Sequence, residues 1–191
     1  MYTAAPPPLT PIVTARLTLR PYQHTDEAVF FAVLDQNRFR LKSSFPARVA
    51  AVQTRADAAR TLVQFAQDWR SGRLYVFGIW HRETGAYLGD ISLRPSWQEP
   101  LSAEIGYYLA AAAEGYGYAR EALAAAVQFA FSPHLRAHHL TLRCQRTNPR
   151  SIAVAEAVGF QAVSTRRRLW PLRGKEAEIL HYRLEPVVAP S

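Results

Sequence analysis

The chain has 191 residues, 49% hydrophobic and 20% charged, which suits one globular domain able to bury a core of its own. Its formal net charge of +8 is almost all arginine, since Lys42 and Lys175 are the only lysines; the one run, Arg166-Arg167-Arg168, lies in a predicted strand. Such a balance can hold an anionic cofactor, ribosomal surroundings or an acidic substrate, but most of these arginines read as ordinary compositional bias, and nothing supports sequence-specific nucleic-acid binding. The single cysteine, Cys144, excludes an internal disulfide or a cysteine-rich zinc site, and no apolar run reaches membrane-spanning length. With no signal peptide visible, the expectation is a soluble, cytoplasmic protein without a membrane partner.

Residues 1–11 form a proline-rich lead, 12–186 a single domain and 187–191 a tail. Arg16 to Arg20 alternate as a first strand, closed by Pro21. Thr25-Asp26-Glu27 then open a helix carrying Ala28, Val29, Phe30, Phe31 and Leu34. Residues 36–51 read as an irregular loop that mixes Arg38, Phe39, Arg40, Phe45 and Pro46. From Asp57 to Trp69 the positions of Ala58, Leu62, Phe65 and Trp69 form a helical stripe, ended by Ser71-Gly72. Leu74 to Trp80 and Tyr87 to Leu93 predict a hairpin through His81–Gly85, with Pro95 beyond it.

Residues 103–109 are the strand around which the chain is organised. Ala103, Ile105, Tyr107 and Leu109 alternate with Glu104, Gly106 and Tyr108, so Glu104 points to the face away from the main apolar row. After an alanine-rich connector, Gly115 and Gly117 allow a sharp turn whose N–H groups converge, and Leu123, Val127, Ala130 and Phe131 mark a helix starting near Tyr118. A glycine turn feeding a helix N-terminus is a pyrophosphate site. No Gly-x-x-x-x-Gly-Lys-Ser/Thr is present, and the turn is far from the N-terminus, where a dinucleotide fold would begin. His139 to Cys144 form a further strand, which makes a right-handed parallel crossover. Asn148 caps a helix with Pro149 at its first position, Ile152, Ala155 and Val158 facing inward and Gly159 as its stop. Two last strands, 162–169 and 176–184, flank a turn at Gly174. The fold class is therefore mixed α/β, of the α+β type, with a largely antiparallel sheet, one parallel crossover and flanking helices.

The window Glu114-Gly115-Tyr116-Gly117-Tyr118-Ala119 resembles the acetyl-CoA loop of the GNAT superfamily, Arg/Gln-x-x-Gly-x-Gly/Ala, matching both small positions and missing the first. Glu104-Ile105-Gly106-Tyr107, Asn148-Pro149-Arg150-Ser151 and Glu156-Ala157-Val158-Gly159-Phe160 are similar, in that order, to the RimJ/RimL branch. The resemblance implies the GNAT acyl-CoA N-acyltransferase fold, acetyl-CoA as acyl donor, and acetyl transfer to a protein N-terminal α-amine or a small-molecule amine. It places the pantetheine arm along Tyr108 and Leu109, the pyrophosphate at Gly115, Tyr116, Gly117, Tyr118, Ala119 and Arg120, and the thioester near Asn148 and Ser151. Residues 36–51 would border the acceptor pocket.

Acyl transfer needs a deprotonated amine and a proton for the departing thiolate. Glu104 is the candidate base, acting through water. Ser151 is the candidate acid, because the tyrosine many members carry in the last helix corresponds to Ala155 here; a serine in a first helical turn would equally serve the cap. Glu114 stands where the family has a cation or an amide, so Arg120 is expected to supply the charge while Glu114 faces water or pairs with an arginine. His134, His138 and His139 lack metal-ligand spacing, so no metal is expected, and Ser132, His134 and Asp90 lack a nucleophile elbow. A non-catalytic acyl-CoA-binding or interaction module is the alternative, and a homodimer is left open.

Overall fold

A computed structural model describes residues 10–169 and 176–186. Its sheet has eight strands: β1 (Ile12–Val13), β2 (Leu17–Arg20), β3 (Tyr75–His81), β4 (Tyr87–Ser96), β5 (Ser102–Leu109), β6 (His139–Gln145), β7 (Gln161–Leu169) and β8 (Glu176–Leu184). They lie in the order β1-β2-β3-β4-β5-β6-β8-β7, and every neighbouring pair is antiparallel except β5 and β6. The helices are α1 (Glu27–Gln36), α2 (Arg38–Leu41), α3 (Pro46–Ala51), α4 (Arg55–Arg70), α5 (Tyr118–Phe131) and α6 (Pro149–Ala157), and α5 makes the predicted crossover. The turn expected at Gly174 lies outside the described residues.

The sheet is covered on both faces. One face packs Leu19, Ile79, Ile91, Ile105, Leu140 and Leu142 against α5 and α6, whose Leu123, Ala126, Ala130 and Ala155 are buried. A second core gathers Phe30, Leu34, Val49, Val52, Ala58 and Leu62 from α1, α3, the α3–α4 link and α4 around Tyr108. The expectation that Glu104 lies on a non-core face needs correcting, since the period-two pattern separates the faces but does not say what covers the second one. Helices α1 to α4 cover it, and Glu104 sits half-buried beside that core.

The 36–51 loop is also corrected: it holds α2 and α3, the latter started by Pro46 at its first turn, where a missing N–H costs nothing. Helix α4 begins two residues before Asp57, because Thr54 and Asp57 cap each other reciprocally: Thr54 N donates to Asp57 Oδ2 at 2.8 Å and Asp57 N to Thr54 Oγ1 at 3.2 Å. Strand β4 runs through Pro95 to Ser96. Strand β3 starts opposite Leu93, so beyond that point β4 has no neighbour on one side, the position where a sheet tolerates proline.

Candidate active site

The glycine turn is built as the sequence predicts. Gly115 and Gly117 take φ of +87° and +80°, left-handed values that side chains rarely adopt, although a Cβ at Gly115 would meet nothing. Backbone conformation, not space, is the reason for glycine there. Gly117 is the N-cap of α5, so the N–H groups of Tyr118, Ala119 and Arg120 start the helix without intrahelical partners. Arg16, just before β2, holds this turn: its Nη1 donates to the Tyr116 carbonyl at 2.8 Å, its guanidinium stacks 4.8 Å from the Tyr118 ring, and it pairs with Glu121 at 2.7 Å. Glu121 also accepts from Thr14 Oγ1 at 2.6 Å and Arg16 N at 2.8 Å. Burial raises its pKa, but these bonds outweigh burial and hold the carboxyl below its ordinary range.

Glu114 bridges the mouth of the cleft. It pairs with Arg40 of α2 and with Arg150 of α6. The second guanidinium nitrogen of Arg40 donates to the Leu109 carbonyl and, at 3.2 Å, to Asn37 Oδ1, which also accepts from Ala111 N at 2.9 Å. Glu114 thus pairs with arginines, as expected of it, but not with Arg120. Among the described residues Arg120 has no hydrogen-bond or ion-pair partner, and it is exposed along the cleft.

Below the mouth, β5 and β6 separate. Their pairing ends at Ile105–Leu142, while β5 continues to Leu109 and β6 to Gln145. Strand β5 stays paired with β4 as far as Gly89–Leu109, so only its β6 side opens. Gly89 permits that pairing by close approach, since a Cβ there would collide with the Tyr108 carbonyl. The resulting cleft of about 1380 Å³ joins the glycine turn to Glu104, Asn148 and Ser151.

Ser151 stands at the start of α6. The cap uses its backbone, N donating to Asn148 Oδ1 at 3.1 Å, and this leaves the hydroxyl free for other partners. Its Oγ lies 3.2 Å from the Tyr107 hydroxyl and 3.3 Å from Cys144 Sγ. Burial pushes the Tyr107 phenol well up, so it stays protonated; it pushes the Cys144 thiol up as well. Tyr107, assigned to the apolar row by its period, therefore brings a second neutral hydroxyl to the site. Ala155 is fully buried in the core and cannot contribute.

Glu104 accepts from Arg143 Nε at 2.9 Å and Nη2 at 2.5 Å, both at Oε1. Among the described residues Oε2 has no partner, so one oxygen is held and the other is available. On the same face lies a buried network. Asp90, fully buried, pairs with Arg48, and Tyr22 donates to it at 3.1 Å. The Tyr22 hydroxyl lies 2.6 Å from that of Tyr87, which is 3.2 Å from that of Tyr108. Burial and the neighbouring Asp90 charge push these phenols up; burial likewise raises the Asp90 carboxyl, with Arg48 opposing it. Arg48 stacks 4.9 Å from Phe65, and Phe45 packs edge-on against Tyr108 at 5.4 Å, which makes an aromatic wall for the cleft.

Residues 16–161 match the acetyltransferase (GNAT) domain family. The chain belongs to that family. It is an acetyltransferase of the GNAT type. It is 28% identical over 163 residues to the uncharacterized protein YkkB of Bacillus subtilis (strain 168), covering 83% of this chain and 90% of YkkB. In structure it is similar to RimL, a ribosomal L7/L12 alpha-N-protein acetyltransferase in complex with coenzyme A, with a TM-score of 0.81, 18% identity and coverage of 92% and 98%. It is similar too to the ribosomal-protein-S5-alanine acetyltransferase of Vibrio fischeri, with a TM-score of 0.82, 18% identity and coverage of 92% and 96%.

The GNAT site residues named from sequence fall along one cleft, Tyr108 and Leu109 at the splay, Gly115 and 117–120 at the turn, Asn148 and Ser151 across from β5, and Glu104 below, except Tyr116, whose exposed ring stacks on Tyr118 outside the lining. The residues fit the acyl donor, because the one-sided opening of β5 offers strand backbone to an extended arm and the helix start offers unpaired N–H groups beside Arg120. One detail differs from expectation. The Leu109 carbonyl is occupied by Arg40, so that part of the strand edge is not free. Sequence reasoning missed Arg16, and it missed the roles of Asn37 and Arg40, placed only in the 36–51 stretch, and of Tyr107, placed only in the apolar row; each acts through a long-range contact that leaves no local signature.

Proposed function

We propose that this GNAT protein is a RimJ/RimL-like enzyme that acetylates a primary amine, either a protein N-terminal α-amine or a small-molecule amine, with Glu104 as base and Ser151 as acid. The observation that carries the reading is the splay between β5 and β6, which brings Glu104 and the Ser151 hydroxyl to one cleft ending at a glycine-turn anion site. RimL, a ribosomal L7/L12 alpha-N-protein acetyltransferase, shares this fold, which favours an α-amine acceptor.

Acetyl-CoA supplies an activated acetyl thioester. The chain's own residues do the rest. Glu104 Oε2 takes the proton of the acceptor ammonium, directly or through one water, while Arg143 fixes the carboxylate through Oε1. The Ser151 hydroxyl gives a proton to the leaving sulfur and is restored by the proton that the attacking nitrogen sheds as the amide forms, while the Tyr107 hydroxyl, which stays protonated, orients it through a hydrogen bond. The unpaired N–H groups at the start of α5 and Arg120 would hold the pyrophosphate. Phe45, at the N-cap of α3, and Arg48 within that helix wall the acceptor side.

The test is release of free thiol from acetyl-CoA with a panel of N-terminal peptides and small amines. Turnover with one class and a loss of about a hundredfold in Glu104→Gln, with acetyl-CoA affinity retained, are expected. Binding of acetyl-CoA without turnover on any acceptor would refute acetyl transfer to these amines.

A further inference from the structure

Six arginines line the cleft: Arg40, Arg48, Arg94, Arg120, Arg143 and Arg150. Four are spoken for, Arg40 and Arg150 by Glu114, Arg48 by Asp90 and Arg143 by Glu104. Arg120 belongs to the anion site at the start of α5. Arg94 remains. It is exposed, and among the described residues it has no hydrogen-bond or ion-pair partner.

Its position is specific. Arg94 is the direct antiparallel partner of Glu104, so the two side chains leave the same face of the sheet from Cα atoms about 4.5–5.5 Å apart. Ser92 and Gly106 form the next row on that face and Asp90 and Tyr108 the one after, which is the aromatic wall under α3 and α4. An amine placed at Glu104 therefore has an uncompensated guanidinium within one side-chain length. Glu104 carries a single negative charge that is already paired with Arg143, so it leaves Arg94 unmatched. A cation left unmatched beside a site for a second cation repels a plain amine, and that repulsion is relieved if the acceptor brings its own negative charge.

We infer that the acceptor is a primary amine bearing a carboxylate a few bonds from the nitrogen, and that Arg94 binds this anion and sets acceptor specificity. The inference rests on the acetyl-transfer reading above and adds the substrate class. Arg94 is a planar, permanently charged donor, suited to a two-pronged bond with such a group.

The experiment compares acid and amide members of matched pairs: free glutamate and aspartate against their α- and side-chain amides, and peptides beginning with an acidic residue against the same peptides with its amide. Thiol release from acetyl-CoA is the readout. The free amino acids and the peptides separate a small-molecule source of the anion from a protein N-terminus. Wild-type protein is expected to favour the acid over its amide by roughly ten- to a hundredfold in kcat/KM, the loss falling on acceptor KM, as for one charge-assisted bond. Arg94→Ala brings that ratio to about one, and Arg94→Glu inverts it toward amines carrying a second cation. Equal use of acid and amide by the wild type, or a ratio untouched in Arg94→Ala, overturns the role of Arg94 while leaving acetyl transfer in place. No thiol release from any acceptor overturns both.

Discussion

Replacing Glu114 with glutamine separates stability from cofactor affinity. The substitution keeps the shape of the side chain and restores the amide that the acetyl-CoA loop of the family carries there, while removing a carboxylate from an anion site. The structure sets the cost. The Arg150 side chain is 81% exposed and Arg40 40%, against 21% for Glu114, so both pairs are screened and together contribute only about 1 kcal/mol to folding. For a domain of this size that lowers Tm by about 2–4 °C. The gain is in binding: for a separation of about 8 Å and an effective dielectric near 40, one unit charge would repel a bound phosphate by about 1 kcal/mol. Acetyl-CoA should therefore bind about fivefold tighter to Glu114→Gln at low salt, and the difference should fade toward 1 M salt, where the screening length is about 3 Å. Titration calorimetry over a salt series, beside scanning calorimetry, reads both effects. Weaker binding by the variant, or a gain that survives high salt, would show that Glu114 shapes the turn or touches the cofactor and would refute this reasoning. Glu114→Arg is a different experiment, since it would set a third guanidinium between Arg40 and Arg150 and release Arg40 from its place at Leu109.

Arg120→Ala, which removes the unpaired cation of the anion site, should weaken acetyl-CoA binding by about 1–3 kcal/mol in a salt-dependent way, measured in the same titrations. Ser151→Ala should lower kcat by about a hundredfold, and Tyr107→Phe by less, since that hydroxyl reaches the sulfur only through Ser151; equal losses would make Tyr107 the donor. The Glu121 carboxyl is held below its ordinary range by Thr14 and Arg16, so the stability it adds is present above the unfolded carboxylate's pKa and is lost as pH falls through the depressed folded value. Wild type and Glu121→Gln should accordingly differ in denaturant midpoint at neutral pH and converge in acid. Arg48→Met leaves Asp90 buried without its counter-charge and should cost about 3–5 kcal/mol, seen as a lower calorimetric Tm.

Much of this fold was legible because its signals are local. Gly159 takes φ of +99° at the end of α6, Asn148 caps that helix through its side chain, and Ala155, Ile152 and Val158 pack inward, all as the sequence predicts. Short elements were not legible for the converse reason: α2 spans Arg38–Leu41 and α3 Pro46–Ala51, too few residues for a 3.6 period to show. Thr54 and Asp57 carried a readable sign of the α4 start, with aspartate in the role usually assigned to glutamate. Periodicity also placed Glu104 and Tyr107 on opposite faces correctly yet misjudged both. The splay lets Tyr107 reach the cleft from the apolar side, and α1 to α4 turn the Glu104 side into a second core.

The charge of the chain takes on a meaning once each arginine has an address. Within the cleft every carboxylate is matched or exceeded by guanidinium, which leaves Arg94 and Arg120 as the two cations without partners among the described residues. They are not neighbours. Arg94 stands across from Glu104 at the closed end of the splay, whereas Arg120 lies beyond Leu109, and the five residue steps of strand from Glu104 to Leu109 alone span about 16 Å. A single small anion cannot meet both. The spacing suits a long cosubstrate whose phosphates rest at one end and whose reacting group lies at the other, where a second, separately charged molecule is received. The excess positive charge is therefore divided between two ligands, and a variant at either arginine should disturb the binding of one and spare the other.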